Sequence, residues 1–283
     1  MISETLVGEG RLSAPYSGSY PIEHRAGEIE RLLVQSKAMA PDALAMLERF
    51  GPMHGWRCLD IGCGPGGITE LLSARVGPAG RVFGLDMDAE FLAFARENTA
   101  AANVEFRRGD AYGADLPAGS FDLVHMRFVA STAGNPERLL KEATRLARPG
   151  GIVALQEPDG STLDCYPPHP AWELLKAALL GAFKGVGADL ELARKLYFLV
   201  QQAGLAEVQY RTTLLGVRST DPMVDYLPST VESLRATILK LGLLSESDFT
   251  AALADCRAHL AKPGTSFTMY TVAQVWGRTT VQA

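Results

Sequence analysis

Apolar positions along the chain switch repeatedly between a helical period and short continuous runs, and the alternation predicts an α/β protein. Ile29, Leu32 and Leu33 recur with helical spacing after Gly27, and Pro41 starts a second helical stretch through Ala43, Leu44, Met46, Leu47 and Phe50. A short run then reaches Leu59-Asp60-Ile61, and the glycine-rich turn from Gly62 to Gly67 opens a helix over Ile68 to Ala74. Arg81 to Leu85 forms a second run, ending in Asp86 and followed by a helix through Phe91, Leu92 and Ala95. Val104 to Arg107 and Ser120 to Met126 predict strands three and four. A helix from about Pro136 to Ala147 leads into a buried-type fifth strand, Ile152 to Glu157.

The second half departs from simple alternation. From Pro158 to about Gly204 the chain carries Tyr166-Pro167-Pro168-His169-Pro170 and two helical stretches, Trp172 to Phe183 and Leu190 to Ala203. An insert of that length, where a short crossover is expected, reads as part of a lid. Ala206 to Val217 alternates as a sixth strand, Met223 to Leu241 and Glu246 to Leu260 are helical, and Ser266 to Trp276 closes a seven-stranded sheet. The expected organisation is an arm and covering helices over residues 1–50, then one domain over 51–283 with helical inserts at about 158–204 and 222–262. No internal repeat or low-complexity tract points to a solenoid or to linked modules.

The glycine turn carries the chemistry. Glycines let the backbone adopt conformations that a Cβ forbids and let a ligand lie against the main chain. Gly62, Gly64 and Gly67 satisfy the letters of the dinucleotide fingerprint, which keeps an NAD enzyme as one reading. Two residues argue against it. Pro65 lacks an N–H that a pyrophosphate would use, and Asp60 places a carboxylate where a cationic ligand is favoured over an anion. Asp86 stands 20 residues past Gly66, at the end of the second strand, where an acidic side chain accepts from ribose hydroxyls.

Composition narrows the partners. A 283-residue chain with 47% hydrophobic positions buries a full core. The formal charge of -5, with no Lys/Arg block, argues against nucleic acid. No apolar run of spanning length appears, and the polar start with Glu4 and Glu9 suggests a cytoplasmic protein that does not enter membranes. Cys58, Cys63, Cys165 and Cys256 are scattered without a C-x-x-C pair, so neither a disulfide framework nor a metal site is expected. Cys63 reads as a small filler of the turn rather than a nucleophile.

Five segments in order, Leu59-Asp60-Ile61-Gly62-Cys63-Gly64-Pro65-Gly66, Gly84-Leu85-Asp86-Met87-Asp88, Gly109-Asp110-Ala111, Phe121-Asp122-Leu123-Val124 and Leu146-Ala147-Arg148-Pro149-Gly150-Gly151, resemble the motif series of class I S-adenosylmethionine-dependent methyltransferases. The resemblance covers roughly residues 50 to 215. The arm, the lid and the closing Val275-Trp276-Gly277-Arg278 resemble the bacterial small-molecule enzymes of natural-product type. It implies a Rossmann-like, doubly wound seven-stranded sheet with an antiparallel last strand, S-adenosylmethionine as cofactor and S-adenosylhomocysteine as product; the motifs leave the oligomeric state open, with a homodimer as one assembly.

The resemblance also implies roles. Asp60, Gly62, Cys63 and Gly64 surround the methionine half, Asp86 takes the ribose, Met87 packs on the adenine, and Asp110 with Ala111 meets its edge. Met126 and Arg127 line the cofactor, and Gln35 reaches the methionine carboxylate. For Met87 a core position is the alternative; for Arg127, an ion pair with a lid carboxylate.

Methyl transfer from a sulfonium is an in-line displacement, assisted by a general base where the nucleophile carries a proton. Glu157, ending the fifth strand at the crevice edge, is the leading candidate for base or substrate anchor; a helix-capping or lid-pairing carboxylate is its alternative. Tyr20 and His24 on the arm are further catalytic candidates, and His169 and Trp172 on the lid are expected in the substrate pocket. His125 reads as packing or cofactor wall, and His54 and His259 as surface residues. The Asn/Asp-Pro-Pro-Tyr signature of certain amino-methyltransferases is missing after the fourth strand, as is the Pro-Cys of cytosine chemistry. Expected acceptors are small, partly apolar metabolites of secondary metabolism, methylated at O, N or C. A peptide substrate, or a related fold without methyl transfer, are the alternatives.

Overall fold

The computed structural model describes residues 27–280. Seven strands form one sheet: β1 (Arg57–Ile61), β2 (Arg81–Asp86), β3 (Val104–Arg108), β4 (Phe121–Arg127), β5 (Ala147–Asp159), β7 (Ala206–Thr213) and β10 (Thr271–Arg278). Their spatial order is β3-β2-β1-β4-β5-β10-β7. The first five pair in parallel, and β10 runs antiparallel to both β5 and β7. The order reverses at β1, so the carboxyl ends of β1 and β4 flank a crevice, the ordinary ligand position in an open α/β sheet.

Strand alternation sends neighbouring residues to opposite faces. Cys58, Leu123 and Ile152 pack with Ala43, Met46 and Leu47 of α1 (Glu28–Leu47) and with Ile68 and Leu72 of α2 (Gly67–Val76). Leu59, Val124 and Val153 face the other way, against Leu139, Leu140 and Ala143 of α5 (Pro136–Leu146) and Leu196, Leu199 and Val200 of α7 (Ala193–Gln202). α3 (Ala89–Asn98) completes the first half, its N-terminus capped by the Asp88 carboxylate.

Four details correct the sequence reading. Pro41 does not start a second helix: α1 is continuous through it. Pro41 is exposed, while Met39, Ala43, Met46 and Leu47 stay buried, so packing on both sides of the proline outweighs its missing hydrogen bond. α7 is not lid; its apolar face belongs to the sheet core, making it the crossover between β5 and β7. The sixth and seventh runs each split, because Leu214 and Leu215 turn the chain out of β7, and Met269 N donates to Leu215 O (2.9 Å). The split pieces β8 (Gly216–Arg218) and β9 (Ser266–Thr268) join β6 (Asp164–Tyr166) in a small second sheet. Finally, the expected helix from 223 to 241 is two, α8 (Tyr226–Glu232) and α9 (Arg235–Lys240).

The covering module has its own core. Trp172, Leu175, Leu179 and Phe183 of α6 (Pro170–Gly185) pack with Leu227, Val231 and Ile238, with Phe249, Leu253 and Leu260 of α10 (Glu246–Leu260), and with Val217 and Phe267 of the small sheet.

Candidate active site

The organising turn leaves β1 at Gly62, which has a φ of 66° and donates its N–H to Leu85 O (2.7 Å). A Cβ there would collide with Val129 Cγ2, and one on Gly67 would collide with Ser36 Oγ of α1. Backbone therefore approaches its neighbours more closely than any side chain permits. Beside the turn opens a cavity of about 660 Å3, which lies in the usual range for small-ligand sites. It runs from the ends of β1, β2 and β3 to the underside of α6 and α8.

Most of the expected cofactor residues meet there. Asp60, Gly62, Cys63, Gly64, Asp86, Met87, Asp110, Ala111, Arg127 and Gln35 all line the cavity. Asp86 accepts from Gly64 N through Oδ2 (2.8 Å) and from Asp88 N through Oδ1 (2.9 Å), so its carboxylate is held by the turn while lone pairs remain for a ligand. Burial raises its pKa, and those backbone amides pull the other way. Met87 is 51% exposed on the cavity wall, which removes the core alternative. Asp110 is exposed and accepts from Tyr112 N (2.9 Å). Cys63 is buried against Leu92, Ala95 and Phe106, and burial pushes its thiol well above the ordinary value, as suits a filler.

Asp60 and Arg127 make the charged floor. The Asp60 carboxylate accepts from Thr69 Oγ1 (2.7 Å) and from His125 Nδ1 (2.9 Å). Arg127 donates through Nη2 to Ser36 Oγ (2.9 Å), whereas its buried Nη1 has no partner among the described residues. That replaces the expected alternative of a lid carboxylate. Burial lowers the Arg127 pKa, with Asp60 opposing. A buried guanidinium with an unsatisfied N–H beside a cavity is the arrangement that an anionic ligand group completes.

Several assignments are corrected. Met126 does not reach the cofactor crevice: it is fully buried in the sheet core with Ile61, because alternation along β4 turns Arg127 and not Met126 to the cavity side. Gln35 is occupied, its Nε2 donating to Tyr270 Oη (2.7 Å) and Tyr226 Oη (3.3 Å). Glu157 is fully buried and does not line the cavity; Oε1 accepts from Ala130 N (2.9 Å) and Oε2 from Ser131 N (3.0 Å). It therefore caps the short helix α4 (Ala130–Ala133) from beneath, the alternative that sequence left open. Burial raises its pKa to about 7, against those two amides.

The lid candidates also fall outside the cavity. Trp172 is a core residue of the covering module, 5.0 Å from the Phe267 ring centroid. His169 caps α6, accepting from Ala171 N (3.3 Å), and stacks on His259 at 4.4 Å. His259 is thereby buried rather than superficial, with Nε2 donating to Pro167 O (2.8 Å); His54 is exposed. Tyr20 and His24 lie outside the described residues.

Sequence reasoning missed the far wall. Tyr226 on α8 and Tyr270 before β10 are 2.9 Å apart at their hydroxyls, and both line the cavity with Thr230, Phe128, Leu179, Phe183 and Leu190. Phe128 sits at a φ of 59°, a left-handed position rare for an aromatic, and its ring meets Tyr270 edge-on at 5.5 Å. No local signal joins residues 44 positions apart. Among the described residues no helix is long and apolar enough to cross a membrane, and no group of His, Cys, Asp and Glu is placed to hold a metal.

Comparison with known proteins agrees with the geometry. A family model described as a methyltransferase domain matches residues 59–155. A demethylmenaquinone methyltransferase of Lactococcus lactis is 36% identical over 182 residues, covering 58% of this chain and 71% of that protein. An uncharacterised 37.1 kDa protein of a Streptomyces fradiae transposon is 34% identical over 164 residues, 57% of this chain, which thus spans under half of that relative (46%). A crystal structure of a putative methyltransferase from Bacillus halodurans superposes with a TM-score of 0.57 at 17% identity, covering 84% of this chain and 99% of that one.

Proposed function

The chain belongs to the class I S-adenosylmethionine-dependent methyltransferases, and from that premise we propose that it methylates a small, partly apolar metabolite enclosed between the sheet and the covering module. The observation that carries this reading is the cavity itself. One continuous space joins the charged floor of Asp60, Asp86 and Arg127 to an aromatic wall of Phe128, Phe183, Tyr226 and Tyr270.

The residues present fit the cofactor. The unpartnered Nη1 of Arg127 would pair with its carboxylate, and the Asp60 carboxylate, already fixed by Thr69 and His125, supplies a favourable potential for its cationic groups. Asp86 would accept from the ribose hydroxyls, and Met87, Asp110 and Ala111 would surround the base. When bound, S-adenosylmethionine supplies an electrophilic methyl group on a sulfonium and leaves as a neutral thioether, S-adenosylhomocysteine. The chain's share is alignment: Arg127 and Asp86 hold two separated anchor points, and the far wall holds the acceptor in line. An acceptor held at the far wall would release any proton it carries to solvent. The Lactococcus relative is named for demethylmenaquinone, which supports an acceptor with a large apolar part.

Calorimetric titration tests the cofactor half. Micromolar binding of S-adenosylmethionine and S-adenosylhomocysteine, lost in Asp86→Ala, with no binding of NAD, is the expected result; turnover of apolar acceptors is then read as S-adenosylhomocysteine release. Tight NAD binding, or none of the three, overturns the reading.

A further inference from the structure

The far wall of the cavity contains a hydrogen count that does not close. Gln35, Tyr226 and Tyr270 make three short contacts with one another: Nε2 to Tyr270 Oη at 2.7 Å, Nε2 to Tyr226 Oη at 3.3 Å, and hydroxyl to hydroxyl at 2.9 Å. With the amide oxygen turned toward the tyrosines, two hydroxyl hydrogens would have to serve three contacts, leaving one oxygen pair repelling. With the amide nitrogen there, one N–H serves Tyr270 Oη and is shared at longer range with Tyr226 Oη, and one O–H joins the two hydroxyls. One tyrosine hydroxyl hydrogen is then left over. Both tyrosines line the cavity, and neither hydroxyl has a further partner among the described residues.

We infer that this surplus O–H is the anchor of the methyl acceptor, and that the acceptor presents to it a phenolic, enolic or carbonyl oxygen on a flat apolar body. The inference rests on the methyltransferase reading of the cavity and names its substrate class. A donor with no internal partner in a buried wall is completed by an acceptor atom, and it favours an oxygen carrying negative charge. The surroundings of the anchor are apolar: Phe128 stands edge-on to Tyr270, and Leu179, Phe183 and Leu190 line the same space. The lining carboxylates among the described residues, Asp60, Asp86, Asp88 and Asp110, all lie at the ends of β1, β2 and β3 on the cofactor side. Near the tyrosines the charged lining residues include Arg31, itself bound to Glu28 at 2.7 Å and lying 5.7 Å over the Tyr226 ring, and Arg127, which acts on Tyr270 from the cofactor side. Among the described residues a cationic acceptor meets no carboxylate in the cavity lining at that end, whereas an oxygen of enol or phenol type meets a hydroxyl donor. Burial, reinforced by Tyr226, keeps the Tyr270 hydroxyl well above its ordinary pKa against the pull of Arg31 and Gln35, so it remains a donor at neutral pH.

Two probes of equal bulk test this, 1-naphthol and 1-methylnaphthalene, titrated against the protein with and without saturating S-adenosylhomocysteine. Wild type is expected to bind 1-naphthol at least about tenfold more tightly, the worth of one buried hydrogen bond. The count makes a sharper demand of the variants. Tyr226→Phe and Tyr270→Phe each still leave one free hydroxyl and retain the preference, whereas the double variant, made in a Gln35→Leu background so that no stranded amide N–H replaces the hydroxyl, loses it with S-adenosylhomocysteine affinity unchanged. Equal binding of the two probes by wild type, loss of the preference in both single variants, or its persistence in a folded double variant overturns the inference. Absence of S-adenosylhomocysteine binding would instead strike the cofactor assignment, because the probe titration without it reports on the tyrosines alone.

Discussion

His125 Nδ1 lies 2.9 Å from Asp60 Oδ1, and this buried contact is the last link of a hydrogen-bond chain that crosses the sheet. Its direction follows from one fixed end. Gln274 Nε2 donates to the backbone oxygen of Asp42 in α1 and to Gln156 Oε1, both at 3.0 Å. Gln156 therefore presents Nε2 to His125 Nε2 (2.9 Å), and His125 carries its hydrogen on Nδ1, aimed at Asp60. Residues of β10, β5 and β4 thus hold the carboxylate at the end of β1.

The chain separates stability from binding. Gln274→Leu strips donors from the buried Gln156 Oε1 and the part-buried Asp42 O and is expected to cost about 1–3 kcal/mol of stability while cofactor affinity changes little. His125→Phe leaves Asp60 with Thr69 alone and is expected to weaken both. Urea unfolding and S-adenosylhomocysteine titration on the same two variants give the comparison.

The unpartnered Nη1 of Arg127 makes a selective demand on the cofactor. Arg127→Met is expected to weaken S-adenosylmethionine about 10- to 100-fold, the worth of a hydrogen bond to a charged group, and to leave 5′-methylthioadenosine, which lacks the amino acid end, unaffected. Equal losses for both ligands in calorimetry would show that Arg127 only shapes the turn.

Glu157 sets a pH dependence of stability rather than of chemistry. Its pKa rises from 4.5 to about 7 on folding, so the folded state holds the proton more tightly. Its contribution to stability is therefore fully present below pH 4.5 and is lost as pH rises through 7, leaving a buried anion that costs about 3 kcal/mol above it. Glu157→Gln removes the titration. Its unfolding free energy is expected to be flat in this group's window between pH 5 and 7.5, where wild type declines, and its turnover to stay within about threefold, since the side chain faces no part of the cavity. A large loss of turnover in the folded variant would restore Glu157 as a base.

Gly62 meets two separate constraints, a left-handed φ and the methyl group of Val129. Gly62→Ala is expected to destabilise by more than the ~1–3 kcal/mol of backbone strain alone, and adding Val129→Ala should recover only the steric part. A double-mutant cycle in urea measures the two terms.

The nucleotide half of this protein was legible in the sequence because its determinants are local. Asp60 with its glycines, and Asp86 at the end of β2, sit within a few residues of the strand ends that position them, so period and spacing suffice to place them. The strands followed from the same short-range alternation, and the antiparallel direction of the last one was implied by the resemblance to class I methyltransferases. What tertiary structure alone decided depends on contacts distant along the chain. Trp172 and Glu157 looked available because sequence records residue type and not burial; packing of α6 on Phe267 and α4 on β5 removed both from the cavity. Tyr226 and Tyr270 carried no local pattern, and only the splitting of the last two strands into a second sheet brings them together beside Gln35. The turn side of the cavity is written in local sequence, whereas its far wall exists only where three separated segments meet.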